Sequence, residues 1–434
     1  MFYSNNSTYT QQKRITSKLS GSSEKLNYSD RKKRRSSDSH LKNHLSDTSG
    51  SRAEGDPREL IGTHSRLDKS LKRLFSLQEQ VIGNNPNITR SLRFCRRVPS
   101  FTSRGIIASE GQKSGSIKGV FFCKSPACPT CSHHISGKQK NRLKKVIEHS
   151  SKKGLSVALL TLTFSHHLKD NFSEILNKLI EAKTYFVRSR KFAKLNSLWH
   201  ISRLEFTHSL ENGFHPHFHI ALGVENYNPE IEHILKQTWI KVLQKFGLTA
   251  SYERGLDIII DKDFSQVENY ITKSGKNLVE EITSSGTKDG RFKSVSIEYL
   301  LDIVADLEKD ERYTKERAKA LLEIYYEGIK GRSIFSSSNT FEDIIEEIEK
   351  GADQEQNEEE EEEDDTAPEN DRPHLRISKP VLHHLAHSNQ LYYLYSFISH
   401  NDLTRLYDDL LDILPEYLIR DIFWIDPEEE RIAA

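Results

Sequence analysis

The segment HPHFH at 215–219 has the residue types and spacing of a metal site. Successive side chains of a β-strand point to opposite faces, so His217 and His219 leave one face about 7 Å apart along the strand. In the hairpin that this region predicts, Glu205 falls opposite His217 on that face. Two imidazoles and a carboxylate can bind one divalent cation, although a histidine pair on a strand is also compatible with ordinary polar packing.

Tyr270 and Lys273 form a second pair of reactive groups. In a predicted helix at 265–278 they are three positions apart, so their side chains emerge on one side of it. Deprotonating a phenol at pH 7 costs roughly 4 kcal/mol, because its ordinary pKa is near 10. A neighbouring lysine or metal cation lowers that cost, which suits the pair to in-line attack on a phosphodiester. By itself, the pattern is also that of a tyrosine packed on an amphipathic helix.

Four cysteines lie in a 37-residue window: Cys95, Cys123, Cys128 and Cys131. The segment CKSPACPTC has the tight, proline-containing spacing of a zinc knuckle, and Cys95 can supply a fourth thiolate from a neighbouring segment. His133 and His134 are rival fourth ligands, and free buried cysteines are the alternative to a metal site. We expect a structural Zn²⁺ that organises residues 90–135, which are too polar to fold around a core of their own.

A run of alternating strands and helices must position these groups. Apolar periodicity predicts a strand at 155–164, a helix at 171–195, strands at 198–209 and 215–224, a helix at 229–247, a strand at 256–261 and a helix at 265–278. Pro229 and Gly247 are the start and stop signals of the second helix. This order is the split-βαβ pattern of an α+β, ferredoxin-like antiparallel sheet with appended helices.

Charge is segregated along the chain, although 63 Lys and Arg balance 63 Asp and Glu. Residues 1–150 hold 29 Lys and Arg against 11 Asp and Glu, a net charge of +18, whereas residues 301–434 hold 14 against 35, a net charge of −21. The basic first third predicts attraction to a polyanion, and the acidic end can solubilise the chain or compete for the basic surface. Charged tails that are only solvated and bind no partner would have the same composition.

Shifts in composition predict six regions. They are a disordered basic arm at 1–65, a zinc-binding basic segment at 66–150, the domain with the sheet at 151–300, a charged helical region at 301–352, an acidic linker at 353–372 and a helical accessory module at 373–434. No stretch approaches the roughly 20 apolar residues of a membrane helix, and the N-terminus lacks the apolar run of a secretory signal. With 35% hydrophobic residues and a mean hydropathy of −0.65, a soluble cytoplasmic protein is the expectation.

Three short motifs, in this order and spacing, resemble those of a known family. TLTF at 161–164, HPHFH at 215–219 and NYITK at 269–273 are similar to the motifs of rolling-circle replication initiators of small plasmids, which belong to the HUH endonuclease superfamily. The resemblance runs over about 95–276 and includes a CP-x-C segment before the first motif. It implies that residues 151–300 are a HUH endonuclease domain.

The resemblance also implies what the site residues do. His217 and His219 bind Mg²⁺ or Mn²⁺, and Glu205 completes the metal site. Tyr270 is the nucleophile that nicks one strand at the plasmid origin, and Lys273 assists it. The products are a 5′-phosphotyrosyl link and a 3′-hydroxyl that primes a host polymerase. The implied partners are origin DNA, single-stranded or extruded, and the host replication machinery, including helicase and polymerase.

One position departs from the pattern of the family. Several relatives resemble each other in having a glutamate four residues before the tyrosine, which is thought to activate water in the closing step, whereas this chain has Gln266. An amide cannot act as a general base. Asp263, seven residues before Tyr270, is a possible substitute.

The helix after the cysteines carries the basic residues that we predict to contact DNA phosphates: Lys138, Lys140, Arg142, Lys144 and Lys145. A charge run on a helix is also typical of a solvated face.

Three other functions stay open. One is a single-tyrosine HUH transposase or relaxase, which shares the chemistry, and another is a non-catalytic, zinc-dependent DNA-binding regulator in which HPHFH is structural. The third is an iron-dependent oxygenase, which would leave the basic segments without a use.

Overall fold

The computed structural model of the chain describes residues 66–83, 85–101, 103–110, 115–225, 229–261, 294–355 and 374–425. Several predicted features lie outside the described residues. They are the basic arm at 1–65, most of the acidic linker at 353–372, and the predicted helix at 265–278 with Asp263, Gln266, Tyr270 and Lys273.

The described residues form ten strands and twelve α-helices. The strands are β1 (Gly105–Ser109), β2 (Ser116–Lys118), β3 (Ser156–Leu162), β4 (Ser197–Ser209), β5 (Gly213–Val224), β6 (Leu256–Asp261), β7 (Val295–Ser296), β8 (Phe335–Ser337), β9 (His374–Ser378) and β10 (Ile422–Ile425). The helices are α1 (Arg66–Leu77), α2 (Arg90–Phe94), α3 (Cys131–Lys152), α4 (Phe172–Val187), α5 (Pro229–Lys245), α6 (Ile297–Val304), α7 (Lys315–Gly328), α8 (Asn339–Glu355), α9 (Lys379–His387), α10 (Leu391–Ser399), α11 (Leu403–Ile413) and α12 (Glu416–Ile419). A π-helical turn, Gln78–Ile82, follows α1, and a 3₁₀ turn, Phe192–Leu195, precedes β4.

The larger sheet is antiparallel throughout. Its strand order is β6-β3-β5-β4-β7, and β8 also pairs with β4. The predicted hairpin is present as β4 and β5, and the predicted strands agree with β3 to β6 within two residues. The predicted helix at 171–195 ends earlier, at Val187. The chain then turns through Asn196, whose left-handed φ of 48° ends the 3₁₀ turn directly before β4.

The two faces of the larger sheet are covered differently. On one face, Leu160, Leu204 and Phe218 pack in the main core with apolar residues of α4 to α7. On the other face, Leu159 and Trp199 pack with α3 and α8, at the end of the sheet away from the β4–β5 turn. Nearer that turn, the same face carries polar side chains: Thr161, Arg203, Glu205, His217 and His219.

Trp199 shows why the covered end of this face is closely packed. A side-chain carbon on Gly223, its partner across β4 and β5, would clash with the indole ring. The indole Nε1 of Trp199 donates a hydrogen bond of 2.7 Å to Oγ of Ser150 in α3. The helix after the cysteines is thereby attached to the sheet that bears the histidines.

A second antiparallel sheet joins the two ends of the described chain. Its order is β10-β9-β1-β2, so β9 of the C-terminal region pairs directly with β1, which lies between Cys95 and Cys123 in the sequence. Helix α1 contacts both cores, with Leu71 in the core of this sheet and Leu74 in the main core. The C-terminal region therefore contains two strands in addition to its helices. The predicted boundaries between the six regions remain predictions.

These elements confirm the predicted α+β class with antiparallel sheets. Within the part of the chain that the structure describes, no helix is long and apolar enough to cross a membrane.

Candidate metal centres

The β4–β5 hairpin brings three of the predicted site residues together. Glu205 pairs with His217, which confirms the predicted register, and His219 pairs with Arg203. Oε2 of Glu205 lies 3.5 Å from Nε2 of His217 and 3.4 Å from Nε2 of His219. One ligand atom from each of the three side chains lies within 4.8 Å of the others. The group can therefore hold a metal ion.

Both imidazoles have an acceptor at their other ring nitrogen. Nδ1 of His219 lies 3.1 Å from Oγ1 of Thr161, and Nδ1 of His217 lies 3.4 Å from the backbone oxygen of His215. An imidazole that binds a cation through Nε2 must carry its proton on Nδ1. Thr161 and the His215 carbonyl can accept these protons, so they favour the tautomer that leaves both Nε2 lone pairs facing Glu205.

Two opposed effects act on the Glu205 carboxyl group. Burial raises its pKa, but hydrogen bonds with His217 and His219 and the charge of these imidazoles hold the pKa well below its usual value. Nε of Arg203 lies 3.6 Å from Oε1 of the same group. Glu205 is therefore an anion at neutral pH, which suits it to bind a divalent cation together with the two imidazoles.

The cluster is largely shielded from solvent. The side chains of Glu205, His217 and His219 are 14%, 12% and 7% exposed. Limited contact with water strengthens electrostatic interactions, because the local dielectric constant is lower than that of bulk solvent. Helices α3 and α8 cover the other end of this sheet face.

A second histidine pair extends the cluster along β5. Nδ1 of His215 lies 3.2 Å from Nδ1 of His166, and the two ring centres are 4.6 Å apart. Burial, together with the charges of His217 and His166, lowers the pKa of His215 to about 3, and burial also lowers the pKa of His166. Both rings are therefore neutral at pH 7. His166 was missed by the sequence analysis, and its signal is its position two residues after TLTF.

Asp257 on β6 was also missed as a candidate. It pairs with Thr161, which pairs in turn with His219, so the three residues form one row across β6, β3 and β5. The side chain of Asp257 is exposed. The sequence pattern of LDIIID predicted only a strand, because a carboxylate at the start of a strand is common at a sheet surface.

The four cysteines form the other candidate metal centre. The Sγ atom of Cys95 lies 3.6 Å from that of Cys131 and 3.7 Å from that of Cys128, and Cys123 lies 3.8 Å from Cys131. These distances are too long for disulfides, and all four cysteines are free thiols. A tetrahedral site with metal–sulfur bonds of about 2.3 Å requires sulfur atoms about 3.8 Å apart. The observed spacing therefore fits a tetrahedral metal ion.

Hydrogen bonds among the sulfur atoms lower the pKa of Cys95 and Cys131 and raise that of Cys123, and burial raises the pKa of Cys128, so two of the four thiolates are favoured. Hydrogen bonds with the other three cysteines and with the backbone of Lys124 lower the pKa of Cys131, and the amide of Cys123 donates to Sγ of Cys95 at 3.5 Å. The cluster packs in the main core, where Cys95 and Cys128 are fully buried. Cys95 is therefore the fourth member of the group, which, within the described residues, does not include His133 or His134.

Comparison with known proteins gives one finding. Residues 114–385 match the model of a family described as Replication protein, which is more than half of the chain. The chain belongs to the Replication protein family. This supports a role as a plasmid replication initiator, and membership implies DNA binding. No curated protein and no solved structure matched the chain.

The Replication protein match includes most of the candidate residues. Glu205, His217 and His219 lie within 114–385, as do Tyr270 and Lys273. Cys95 lies before the matched residues, although its sulfur joins the three cysteines that the match includes. The cysteine cluster therefore links the family region to the preceding segment.

The basic helix of this Replication protein is α3. Lys138, Lys140, Lys144 and Lys145 are exposed on it. Arg142 instead forms an ion pair with Glu342 of α8, and its guanidinium lies 5.5 Å from the ring centre of Phe341. Four of the five residues that we predicted to contact phosphates are thus exposed. The fifth, Arg142, joins α3 to α8.

Proposed function

We propose that the chain initiates rolling-circle replication of a plasmid by nicking one strand of its origin DNA, with Tyr270 as the nucleophile. The observation that carries the proposal is the cluster of Glu205, His217 and His219 on one face of an antiparallel sheet. In a member of the Replication protein family, a metal-binding cluster of this type is suited to cleavage of a phosphodiester.

The topology of the larger sheet supports a HUH endonuclease domain. Helix α4 connects β3 to β4, and α5 connects β5 to β6, while the four strands have the spatial order β6-β3-β5-β4. Both helices pack on the face away from the histidines. The arrangement fits a ferredoxin-like split-βαβ unit, and in this proposal DNA lies on the opposite face.

The cation that the cluster holds is, in this proposal, Mg²⁺ or Mn²⁺. His217, His219 and Glu205 are its ligands, and when bound it polarises a non-bridging oxygen of the scissile phosphate. Thr161 and the carbonyl of His215 keep the two imidazoles in the tautomer that can bind it. At the cysteine cluster we propose a structural Zn²⁺, because four thiolates at tetrahedral spacing are its preferred ligands.

Nicking is a transesterification. The Oη atom of Tyr270 forms a bond to phosphorus, and the bond from phosphorus to the 3′ oxygen breaks. The phenol proton passes to solvent, and the leaving 3′ oxygen takes up a proton from solvent. The charge of Lys273 favours the phenolate and the negative charge that develops on the phosphate. In place of Gln266, Asp263 is the base that we propose for the closing step.

The two products of nicking indicate which partners the chain requires. A 5′-phosphotyrosyl link keeps the protein on one DNA end, and the free 3′-hydroxyl is a primer for a host polymerase. Separation of the strands ahead of that polymerase requires a helicase. The exposed lysines of α3 contact phosphates of the DNA in this proposal.

Covalent trapping tests the nucleophile directly. The full chain is incubated with Mn²⁺ and a random-sequence library of single-stranded oligonucleotides, and adducts that survive denaturation are digested and searched by mass spectrometry for a nucleotide-modified tyrosine. We expect the modification on Tyr270 and none in Tyr270→Phe, with DNA binding changed by no more than a few-fold. Tyr252→Phe is the matched control, because Tyr252 is an exposed tyrosine whose hydroxyl lies 2.7 Å from Nδ1 of His233.

The same experiment separates the rival functions. Binding without any adduct would indicate a regulator, and an adduct that persists in Tyr270→Phe would move the nucleophile to another tyrosine. Sequencing the trapped oligonucleotides gives the preferred target. A target at a replication origin supports initiation, whereas one at a transposon end or a transfer origin would indicate a transposase or a relaxase.

A further inference from the structure

The smaller sheet has two faces of different composition. Four residues of its inner face are fully buried against helices: Ile106, Ala108, Leu375 and Ile377. The register places a row of four residues across its outer face, one from each strand: Phe423, Arg376, Ile107 and Lys118. Neighbouring strands are about 4.8 Å apart, so this row is about 14 Å long.

One exposed aromatic residue lies in the strand at one end of the row, and another lies in the segment that is hydrogen-bonded next to the other end. Phe423 is 43% exposed although it belongs to β10, and the guanidinium of Arg376 lies 6.0 Å from its ring centre. At the β2 end, the amide of Ser100 donates to the carbonyl of Gly119, the residue after Lys118. The next residue, Phe101, is 98% exposed. Each ring would gain free energy if a partner covered it, because exposed apolar area is unfavourable in water.

The charge of this face is complementary to a polyanion. None of the four strands contains an aspartate or a glutamate, whereas Arg376 and Lys118 both lie in the row. Ser116 adds a partly exposed hydroxyl group two positions from Lys118 on the same face, where it is hydrogen-bonded to the buried Ser109. Phosphates can bind such cations and hydroxyls.

Aromatic rings between cations favour a single strand over a duplex. The flat face of a phenyl ring stacks on a base that is not already stacked between neighbours, and this contact does not require a particular sequence. A four-stranded sheet with exposed aromatic residues and helices behind it is an arrangement that can bind two or three bases. A flat sheet face does not enter the major groove as a helix does.

We propose that the outer face of the smaller sheet binds single-stranded DNA. Bases stack on Phe423 and Phe101, and phosphates contact Arg376 and Lys118. This surface lies on a different sheet from the metal cluster, so it holds a strand without taking part in cleavage. The proposal goes beyond the nicking function and does not depend on it.

Binding is measured on the full chain carrying His217→Ala and His219→Ala, with no divalent metal added, so that the metal cluster can neither cut nor retain the probe. The probe is a fluorescein-labelled 15-nucleotide oligothymidylate, followed by fluorescence anisotropy. We expect Phe101→Ala and Phe423→Ala each to weaken binding about 5- to 100-fold, the range for loss of one base–aromatic stack. Arg376→Gln is expected to reduce the salt dependence by about one phosphate contact.

Tyr417→Ala is the matched control, because Tyr417 is 65% exposed but lies on α12 and not in the sheet. Its affinity for the probe should stay within two-fold of that of the parent chain. Phe101 is so exposed that its replacement should not unfold the chain, so unchanged affinity in Phe101→Ala and Arg376→Gln would overturn the proposal.

A 15-base-pair duplex gives the second decisive comparison. Equal losses of affinity for the duplex and for oligothymidylate would exclude stacking and overturn the proposal, whereas a loss confined to the single strand supports it. Failure of the nicking proposal is distinguishable from failure of this one, because the chain used here cannot cut. A wild-type chain that forms no adduct, while the binding losses above are observed, counts against nicking alone.

Discussion

Oγ1 of Thr161 lies 3.1 Å from Nδ1 of His219, and the two residues pair across β3 and β5. Thr161 is the first residue of TLTF, and His219 is the last of HPHFH. The contact therefore gives TLTF a physical role. Its threonine accepts the Nδ1 proton, so that Nε2 of His219 is available to a cation.

Replacement of Thr161 by valine should weaken metal binding while the sheet remains intact. Valine has a similar shape and suits a strand, but it cannot accept the Nδ1 proton of His219. We expect Thr161→Val to lower the affinity for Mn²⁺ about 10- to 100-fold, the usual effect of losing a hydrogen bond to a metal-binding histidine. Thr161→Ser retains the hydroxyl and should bind nearly as the wild type does. Titration with Mn²⁺ followed by electron paramagnetic resonance measures both, and equal affinities for the two variants would contradict the role of Thr161.

Removal of the two metal-binding imidazoles should abolish metal-dependent cleavage and leave the zinc content unchanged. We expect His217→Ala together with His219→Ala to abolish metal-dependent cleavage, because Glu205 alone cannot retain the cation. Zinc content, measured by inductively coupled plasma mass spectrometry, should remain that of the wild type. A fall in zinc would mean that the two metal centres had been exchanged in our assignment.

The stability of the chain should depend on the cysteine cluster. Cys95→Ser removes one of four thiolates from a site within the main core, and we expect zinc to be lost and the free energy of unfolding to fall by about 4 kcal/mol or more. In a chain of this size that corresponds to a decrease in Tm of roughly 5 °C. His133→Ala and His134→Ala are the controls, since neither residue belongs to the cluster. If Cys95→Ser retained zinc, the fourth ligand would have to be a histidine and not Cys95.

Lys183 should make stability depend on pH in the alkaline range. It is 7% exposed on α4, Nζ donates to Oγ of Ser336 at 2.9 Å, and burial lowers its pKa to about 8. In the unfolded chain the pKa is near 10.5, so the unfolded state binds more protons between pH 8 and pH 10.5, and stability contributed by this group rises with pH in that window.

Lys183→Met should therefore stabilise the chain at pH 7 by about 3 kcal/mol, because the cost of burying the charge is fully present below pH 8. The advantage of the variant should shrink as the pH rises to 10.5. Urea unfolding at pH 7 and pH 10 measures it. Lys178→Met is the control on the same helix, since Lys178 is partly exposed in an ion pair with Glu174, and it should show no such change. An advantage for Lys183→Met that is independent of pH would contradict the lowered pKa.

The lysines of α3 should contribute to DNA binding through charge alone. Lys138→Ala and Lys145→Ala are each expected to reduce the slope of log affinity against log salt by about 0.7 to 0.9, the effect of one lost phosphate contact. Arg142→Ala should leave the slope unchanged, because the guanidinium of Arg142 is paired with Glu342. Filter binding at several salt concentrations tests these slopes. A large change for Arg142→Ala, with none for the lysines, would place the DNA on the other side of α3.

The local pattern of the sequence was enough to determine the hairpin and its ligands. Alternation in HPHFHIAL directs Phe218 and Ile220 into the core and leaves His217 and His219 on the other face, and the short turn then sets Glu205 opposite His217. Each of these features follows from the period of two in a strand and from a connection of a few residues. The gathering of four cysteines was likewise predictable, because thiolates at knuckle spacing have few other uses in such a chain.

Only the tertiary structure decided which distant segments meet. The pairing of β9 with β1, the row of Asp257, Thr161 and His219 across three strands, and the ion pair of Arg142 with Glu342 join residues far apart in sequence. A five-residue strand such as HLRIS has no local pattern that distinguishes it from a loop, and its partner is selected by which apolar faces remain to be buried. Local periodicity determines what a segment can form, whereas burial across the whole chain determines what it contacts.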